Sequence, residues 1–372
     1  MARFDGNWFF RDVIVGTNNA DVIYGHGGDD ELSGNGGNDE IYGGLGNDEI
    51  SGGSGHDTLR GEWGHDIIRG GSGNDTIDGG DDDDTLYGGD DHDTIYGGNG
   101  SDWLYGDEGN DILSGGNHTD YLYGGTGNDT LMGGAATDYL HGEAGNDTFR
   151  DTLGNNLFNG GAGIDTADYS TFNGRIKVTL AEGNGEALAD RDIMIYHVDS
   201  GTRYYDDGTD RFVSIENVNG GLGDDVITGN SSANVINGGG GRDIIRGGGG
   251  HDTLTGGTGQ DFFEFHNGDA PMAVTLLDGT RLVDKITDFN RKEGDYIDLR
   301  PMDSTPATAV NNSFLLVQNF TGRAGELVVR QDSGSEFRLI GDTNGDGAGD
   351  MFIDVKTVGN LTMDQFMGGV LL

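Results

Sequence analysis

Residues 52–60 read GGSGHDTLR, residues 70–78 read GGSGNDTID and residues 124–132 read GGTGNDTLM. The same nine-residue pattern runs without a slip from Gly16 to Arg150, which makes fifteen consecutive nonapeptides. Position one is Gly and position six is Asp in all fifteen, and position eight is always Ile, Leu or Phe. Because low-complexity tracts do not hold an apolar residue and a carboxylate at fixed phase, this glycine-rich region is predicted to fold.

The repeats form two blocks. Two weaker units, residues 151–159 and 160–168, continue in phase, and five more fill residues 220–264. Between them, the apolar-polar alternation of Ile176–Leu180 predicts a strand in an insertion that is short for an independent enzyme domain. The predicted segments are an N-terminal cap (1–15), a first repeat block (16–168), the insertion (169–219), a second repeat block (220–264) and a C-terminal cap and secretion-signal region (265–372).

The nonapeptide predicts a coil made of two repeats. Positions seven to nine predict a three-residue β-strand with one apolar side chain pointing inward. Positions one to six predict a turn, in which glycine permits positive φ and close backbone approach. Two nonapeptides then make one coil of strand, turn, strand and turn, and successive coils stack about 4.8 Å apart. The predicted fold is all-β: a parallel β-roll in two blocks, with a small β insertion and a C-terminal β cap domain.

Stacking places each unit over the second unit that follows it, so the position-six aspartates form two columns. Carboxylates at one-strand spacing repel one another strongly unless a cation lies between them. Carboxylates and turn carbonyls offer only oxygen ligands, which suits Ca²⁺, and we predict roughly a dozen ions. The chain is then expected to be unfolded in low calcium and folded in millimolar calcium. The predicted ligands in the repeats are Asp21, Asp30, Asp39, Asp48, Asp57, Asp66, Asp75, Asp84, Asp93, Asp102, Asp111, Asp120, Asp129, Asp138, Asp147, Asp165, Asp225, Asp243, Asp252 and Asp261.

A further candidate calcium loop lies near the C-terminus. Asp342, Asn344, Asp346 and Asp350 are spaced like the first half of an EF-hand loop. Such loops carry Glu at position twelve, where this chain has Ile353. A dedicated calcium site and a polar turn that holds an occasional ion are both consistent with this spacing.

Aromatic residues recur every eighteen residues at the outward positions seven and nine, and a roll arranges them in two adjacent columns on one sheet face. A flat aromatic strip can stack against sugar rings or against another copy of the protein. It can equally stabilise the sheet as a cross-strand ladder, or be covered by the cap or the insertion. The candidate ligand face comprises Tyr87, Tyr105 and Tyr123 at position nine and Trp103, Tyr121 and Tyr139 at position seven.

Composition excludes several classes of protein. The chain has 372 residues, a net charge of −44, 74 glycines and no cysteine. Nucleic acid is not an expected partner, because binding phosphates requires a Lys/Arg surface. The sequence contains no apolar run of about 18 residues, so no transmembrane helix is predicted. Residues 1–16 lack the apolar region of a signal peptide. Disulfides and thiol chemistry are excluded.

The repeat resembles that of the RTX family, which is secreted mainly by Gram-negative bacteria. The C-terminal part is similar to a narrower group, the serralysin-type metalloproteases. The matching stretches are Asp284-Lys-Ile-Thr-Asp288-Phe289, Gly294-Asp-Tyr-Ile-Asp298-Leu299, Gly322-Arg-Ala-Gly-Glu-Leu327 and the segment 341–353. This resemblance implies export by a type I secretion machinery that reads an uncleaved C-terminal signal, here with Asp364 and the apolar end Val370-Leu371-Leu372.

The chain departs from serralysins in its chemistry. No His-Glu pair exists to form H-E-x-x-H, and no G-x-S-x-G motif occurs. The histidines, such as His56 and His92, fall mostly at variable repeat positions and are interpreted as scattered turn residues. We therefore expect a secreted, extracellular, calcium-folded protein without enzymatic activity that acts at a cell surface or in a matrix, with polysaccharide as a candidate partner. The alternatives are a membrane-active, pore-forming effector and the export and folding module of a larger hydrolase.

Overall fold

The computed structural model describes residues 2–150, 153–180, 187–196, 203–266, 274–275, 281–302, 314–344 and 346–372. The chain divides into two compact units, one comprising residues 1–168 and 208–215 and the other comprising residues 169–207 and 216–372. Both are built almost wholly from β-strands, as predicted. The longest strand of the insertion, Arg203–Val213, contributes to both units.

The first unit is a parallel β-roll. From Val13–Val15 to Thr148–Phe149, each strand pairs in parallel with the second strand that follows it, and residue i lies opposite residue i+18, as Ile41 lies opposite Leu59. The eighteen-residue coil predicted from the repeat is therefore confirmed. The strands of this unit, besides the insertion strand, are Arg3–Asp5, Val13–Val15, Val22–Gly27, Glu31–Gly36, Glu40–Leu45, Glu49–Ser54, Thr58–Trp63, Ile67–Ser72, Thr76–Asp81, Thr85–Asp90, Thr94–Asn99, Trp103–Glu108, Ile112–Asn117, Tyr121–Thr126, Thr130–Ala135, Tyr139–Ala144, Thr148–Phe149, Leu157–Ala162 and Thr166–Asp168.

Most of these strands are six residues long, so the prediction of three-residue strands was wrong. Pairing continues past position nine into positions two and three of the next repeat, as in Gly44 opposite Glu62 and Leu45 opposite Trp63. The reason is that position two adopts a positive φ, +116° at Gly44 and +78° at Glu62. The backbone thereby bends towards the turn while it remains in the ladder, much as a bulge bends a strand.

The core of the roll consists of the position-eight side chains. Each of them is at most 1% exposed from Ile23 to Phe149. The series ends in stacked phenylalanines, with ring centroids 5.3 Å apart between Phe149 and Phe158 and 5.4 Å apart between Phe158 and Phe212. One apolar side chain per strand is thus enough to fill the interior of such a flat coil.

The predicted N-terminal cap belongs to the roll as a degenerate repeat. Residues 7–15, NWFFRDVIV, lie in phase with the later units. The strand Val13–Val15 pairs in parallel with residues 31–33, and the Asp12 N–H donates to Asp30 Oδ1 at 2.7 Å. Trp8 and Phe10 occupy positions two and four, which are mostly glycine elsewhere, and Phe9 lies between them at the variable position three.

The second unit contains a shorter parallel roll and an antiparallel sheet. Parallel pairing continues beyond the last predicted repeat, because Asp284–Phe289 pairs with the strand Thr253–Gly259 and Tyr296–Asp298 pairs with Phe262–Glu264. The strands are Arg175–Thr179, Ala187–Tyr196, Asn217–Asn219, Val226–Thr228, Val235–Gly241, Ile244–Arg246, Thr253–Gly259, Phe262–Glu264, Val274–Thr275, Arg281–Leu282, Asp284–Phe289, Tyr296–Asp298, Leu315–Leu316, Glu326–Ser333, Glu336–Asp342, Met351–Thr357 and Val370–Leu371.

One short helix, Met363–Met367, is present in the described part of the chain. It begins at a capping box, in which Thr362 accepts from the Gln365 N–H and the Gln365 side chain accepts from the Thr362 N–H. Phe366 on this helix is fully buried against Phe337, with ring centroids 4.2 Å apart. Within the described residues, no helix has the length and apolar character needed to cross a membrane.

Candidate metal sites

The position-six aspartates form two hydrogen-bonded columns in the first unit. Each backbone N–H donates to Oδ1 of the aspartate eighteen residues later, at 2.7 Å from Asp21 to Asp39 and at 2.8 Å from Asp66 to Asp84. The side chains are buried, with Asp48 2% and Asp102 0% exposed. The predicted columns therefore exist, and Oδ1 of each member is held in place by the coil before it.

The second carboxylate oxygen, Oδ2, is left open at most of these positions. It is buried and accepts no hydrogen bond from any residue that the structure describes. Such a group carries a large desolvation penalty, because a buried charge is tolerated only when it is compensated. The aspartates in this state are Asp30, Asp39, Asp48, Asp57, Asp66, Asp75, Asp84, Asp93, Asp102, Asp111, Asp129, Asp138, Asp147, Asp243 and Asp261.

Most open Oδ2 atoms lie beside a carbonyl oxygen, and the space between the two oxygens is kept clear by the position-one glycine. A Cβ atom on Gly34 would lie 2.2 Å from Asp39 Oδ2 and 2.7 Å from the Gly52 carbonyl oxygen. On Gly61 it would lie 2.0 Å from Asp66 Oδ2 and 2.5 Å from the Gly79 carbonyl oxygen. We call the space between these two oxygens the cradle. Any side chain at position one would fill it, which explains why position one is glycine.

This donor set fits calcium. The cradle contains a carboxylate oxygen and a backbone carbonyl oxygen, both hard ligands of the type that Ca²⁺ prefers. Among the described residues, no cluster of three or more His, Cys, Asp or Glu side chains has metal-binding geometry, so the carbonyl oxygens are a necessary part of any site in the turns.

Without a cation, burial raises the pKa of these carboxyl groups. The neighbouring aspartates of the same column raise the pKa further, against the lowering effect of the backbone N–H that donates to Oδ1. The pKa rises to about 6 at Asp39, Asp93, Asp102, Asp129, Asp138, Asp225 and Asp261, to about 7 at Asp48, Asp66, Asp75 and Asp111, and to about 8 at Asp84 and Asp243. The columns therefore require either protons or cations at neutral pH.

Two of the sequence-predicted ligands have a closed Oδ2. Asp21 Oδ2 accepts from the Thr17 N–H and from the Thr17 hydroxyl, both at 2.7 Å. The pKa of Asp21 is lowered, chiefly by the hydrogen bond from the Ala2 N–H and further by those from Thr17. Asp225 Oδ2 accepts from the Gly221 N–H at 2.8 Å. Both carboxylates thus accept hydrogen bonds on Oδ2 from the protein itself, but burial still raises the pKa of Asp225 to about 6.

The columns also contain residues that the sequence analysis missed. Asp12 precedes Asp30, and Asp210 follows Asn156, whose N–H donates to Asp210 Oδ1 at 3.0 Å. Asp284 and Asp295 extend the columns of the second unit. Asp12 could have been found from its phase with Asp21, but Asp210, Asp284 and Asp295 follow breaks in the nine-residue spacing.

The position-five side chains form a second set of ladders at the turns. Asn38 Oδ1 accepts from the His56 N–H at 3.1 Å, and His56 Nδ1 accepts from the Asn74 N–H at 2.8 Å. His92 Nδ1 accepts from the Asn110 N–H in the same way, at 2.8 Å. These histidines therefore take the place of asparagine as acceptors, with the ring proton on Nε2, and the interpretation as scattered turn residues was incomplete.

The loop at residues 342–350 is closed by its own hydrogen bonds. Asp350 Oδ2 accepts from the Thr343 N–H at 2.8 Å, and Asp342 Oδ2 accepts from the Gly347 N–H at 2.9 Å. The Asn344 amide donates to Asp350 Oδ1 at 3.0 Å, and Asp346 Oδ1 accepts from the Ala348 N–H. Of the two alternatives, this bonding favours a polar turn that forms without an ion.

The aromatic columns are stacked on themselves. Trp103 and Tyr121 have ring centroids 4.4 Å apart at an interplanar angle of 13°, and Tyr121 and Tyr139 are 4.9 Å apart at 4°. Tyr105 lies 4.9 Å from Tyr87 and 5.1 Å from Tyr123. Because the ring faces cover one another, a sugar can reach chiefly their edges, and the geometry favours the cross-strand ladder.

Comparison with known proteins agrees with this geometry. No curated protein matches the chain significantly. The family described as RTX calcium-binding nonapeptide repeat (4 copies) matches at residues 10–41, 26–59, 33–68, 42–77, 60–95, 96–131, 132–167, 214–245 and 228–263. These matches cover more than half of the chain and coincide with the columns of buried aspartates. The chain belongs to the RTX family of calcium-binding nonapeptide repeats.

Proposed function

We propose that this is a secreted protein that folds on calcium outside the cell and acts without catalysis at a cell surface or in an extracellular matrix. The observation that carries the proposal is the repeated open cradle, in which a buried Oδ2 and a carbonyl oxygen face each other with no compensating charge. Interior aspartates such as Asp48, Asp66 and Asp84 would hold the ions together with the position-one carbonyls. Bound calcium supplies the positive charge that these columns lack.

Calcium-dependent folding is tested with far-UV circular dichroism and the hydrodynamic radius of the full chain. Calcium should convert an expanded, largely unstructured chain into a compact β-protein, and EGTA should reverse the change. Magnesium at the same concentration is the control, because Mg²⁺ keeps its water and demands octahedral geometry. Equilibrium dialysis should give roughly a dozen ions per chain. A compact β-spectrum that persists in EGTA would contradict the proposal.

Secretion is supported by the net charge of −44, which favours an expanded chain wherever calcium is scarce. The resemblance of the C-terminal part to exported proteins points to a type I secretion machinery. Export is tested by expressing the full chain in a Gram-negative host with and without a type I exporter, beside a variant that lacks residues 359–372. The full chain should reach the medium only with the exporter, and the variant should remain in the cells. Equal export of both chains would exclude a C-terminal signal.

A further inference from the structure

An aromatic cleft of about 470 Å³ lies at the N-terminal end of the first roll, away from the stacked columns described above. Its walls include Trp8, Tyr24, Tyr42, Leu45 and Trp63, with Glu62 and His26 as polar members. Trp8 is 63% and Trp63 is 53% exposed. Large aromatic side chains are seldom left this open without a partner, so the cleft is a candidate binding site.

The cleft exists because side chains of very different size share the same turn columns. At position three, Gly27 lies between Phe9 and Leu45, and Trp63 follows in register with Leu45. Gly43 and Gly44 form the floor. Gly44 has a φ of +116°, and a Cβ there would lie 2.3 Å from the His26 carbonyl oxygen, so the floor stays free of side chains.

Trp63 is the element that distinguishes this cleft from the stacked columns. Its ring has no aromatic or guanidinium partner among the described residues, whereas Trp8 stacks on His26 at 4.4 Å. Trp63 also borders a second cleft of about 450 Å³, which contains Asp81, Asn99 and Ser101. An apolar ring face is thus flanked by carboxylate, amide and hydroxyl groups.

The charges around the cleft exclude most ligand classes. The net charge of −44 disfavours anions. The tyrosine faces are closed to a cation, because Arg3 lies over Tyr24 at 4.8 Å and Arg60 over Tyr42 at 5.6 Å, and these two guanidinium groups repel a further positive charge beside the cleft. The two tyrosines cover each other's remaining faces, 5.0 Å apart. A wholly apolar ligand would bury the Glu62 carboxylate without a partner.

We propose that this cleft binds a neutral saccharide, with the apolar face of a sugar ring on Trp63 and its hydroxyl groups paired with Glu62. A neutral polyhydroxyl ligand is the class that meets both the ring and the carboxylate without placing a charge against the flanking arginines. The inference rests on the proposed function in one respect, since calcium must fold the coils that carry these residues.

The test uses the full chain in millimolar calcium, with laminarin, dextran and galactomannan as neutral probes and alginate and choline as charged ones. Binding is measured by retardation in polysaccharide gels and by tryptophan fluorescence. One neutral polysaccharide should bind, and Trp63→Ala should weaken that binding about tenfold or more, the equivalent of one lost ring contact. Trp103→Ala, at a stacked ring on the other sheet, should bind like the wild type.

Trp63→Ala is expected to fold, because other coils carry Asp81, Asn99 and Ala135 at the same position. Glu62→Gln is a second variant that keeps the size of the side chain and should also weaken binding. Failure to bind any neutral probe, preference for alginate or choline, or unchanged binding in both variants would overturn the proposal. Circular dichroism of each sample separates these outcomes from a failure of calcium-dependent folding.

Discussion

Asp21 and Asp48 occupy the same repeat position and differ in how their charge is compensated. Asp21 Oδ2 accepts two hydrogen bonds from Thr17, at position two of its own repeat. Asp48 Oδ2 accepts none from the described residues, and position two of its repeat is Gly44. Whether Oδ2 accepts a hydrogen bond depends on the backbone conformation of position two, because Gly44 has a φ of +116° whereas Thr17 has no positive φ.

The same rule holds in both units. Asp225 is closed by the Gly221 N–H, and Asn234 Oδ1 is closed by the Asn230 N–H, and neither position-two residue has a positive φ. Asp243 and Asp261 are open, and their repeats carry Gly239 and Gly257 at φ of +99° and +93°. In these repeats, therefore, a residue with a positive φ at position two does not donate its N–H to the aspartate carboxylate. The aspartate alone does not make a calcium cradle; the conformation of position two decides whether the cradle is open.

The largest effect that tests this comparison is the response of the calcium-free chain to pH. The pKa of open carboxyls such as Asp39 and Asp84 is about 6 and about 8 in the fold, against about 3.9 in an unfolded chain. Between about pH 4 and pH 8 the folded state holds more protons than the unfolded state, so its stability falls as the pH rises. The calcium-free chain should therefore show more β-structure at pH 5 than at pH 8 by circular dichroism.

Calcium affinity should change in the opposite direction, because calcium requires the deprotonated carboxylates and releases their protons. The calcium midpoint of folding should therefore fall as the pH rises through the same window. High salt at pH 8 is the control, since it screens exposed charges and leaves the buried columns largely unscreened. If salt alone restores as much structure as acid does, general charge repulsion accounts for the effect and the open cradles do not.

The next effect separates an open aspartate from a closed one. Asp84→Asn keeps the Oδ1 acceptor for the Asp66 N–H and replaces the open oxygen by an amide nitrogen. We expect about one ion fewer per chain by equilibrium dialysis. The loss in stability should be about 2.7 kcal/mol when calcium is a hundredfold above Kd. In the calcium-free chain the same change should be stabilising, because it removes an uncompensated charge.

Asp21→Asn is the matched variant, because Asp21 Oδ2 already accepts from Thr17. The number of bound ions should stay the same, and the only cost should be weaker hydrogen bonding at the N-terminal end. Equal losses of calcium in the two variants would show that the position-two rule is wrong.

The repeat determined which side chains point inward, but it did not determine the backbone of the turn. Gly16, Asp21 and Ile23 share the phase of every later unit, so the coil, the core column and the aspartate columns could be predicted from spacing alone. The state of position two could not, because Glu62 and Asp107 adopt positive φ where glycine is expected, and Gly221 does not. These conformations depend on the neighbouring coils, which act only after the chain has stacked.

The smallest effect concerns the residues that hold position two left-handed without being glycine. Glu143 has a φ of +73°, which costs a residue with a Cβ about 1 kcal/mol. Glu143→Gly removes this cost but adds the entropic cost of glycine, about 0.5–1 kcal/mol, so it should stabilise the calcium-bound roll by at most about 0.5 kcal/mol. Glu40→Gly is the control, because Glu40 begins a strand without positive φ, and there the same change should destabilise the roll by about 0.5–1 kcal/mol. Thermal unfolding in excess calcium measures the stability of both variants. If both substitutions destabilise the roll, the positive φ of Glu143 carries no conformational cost and this explanation is wrong.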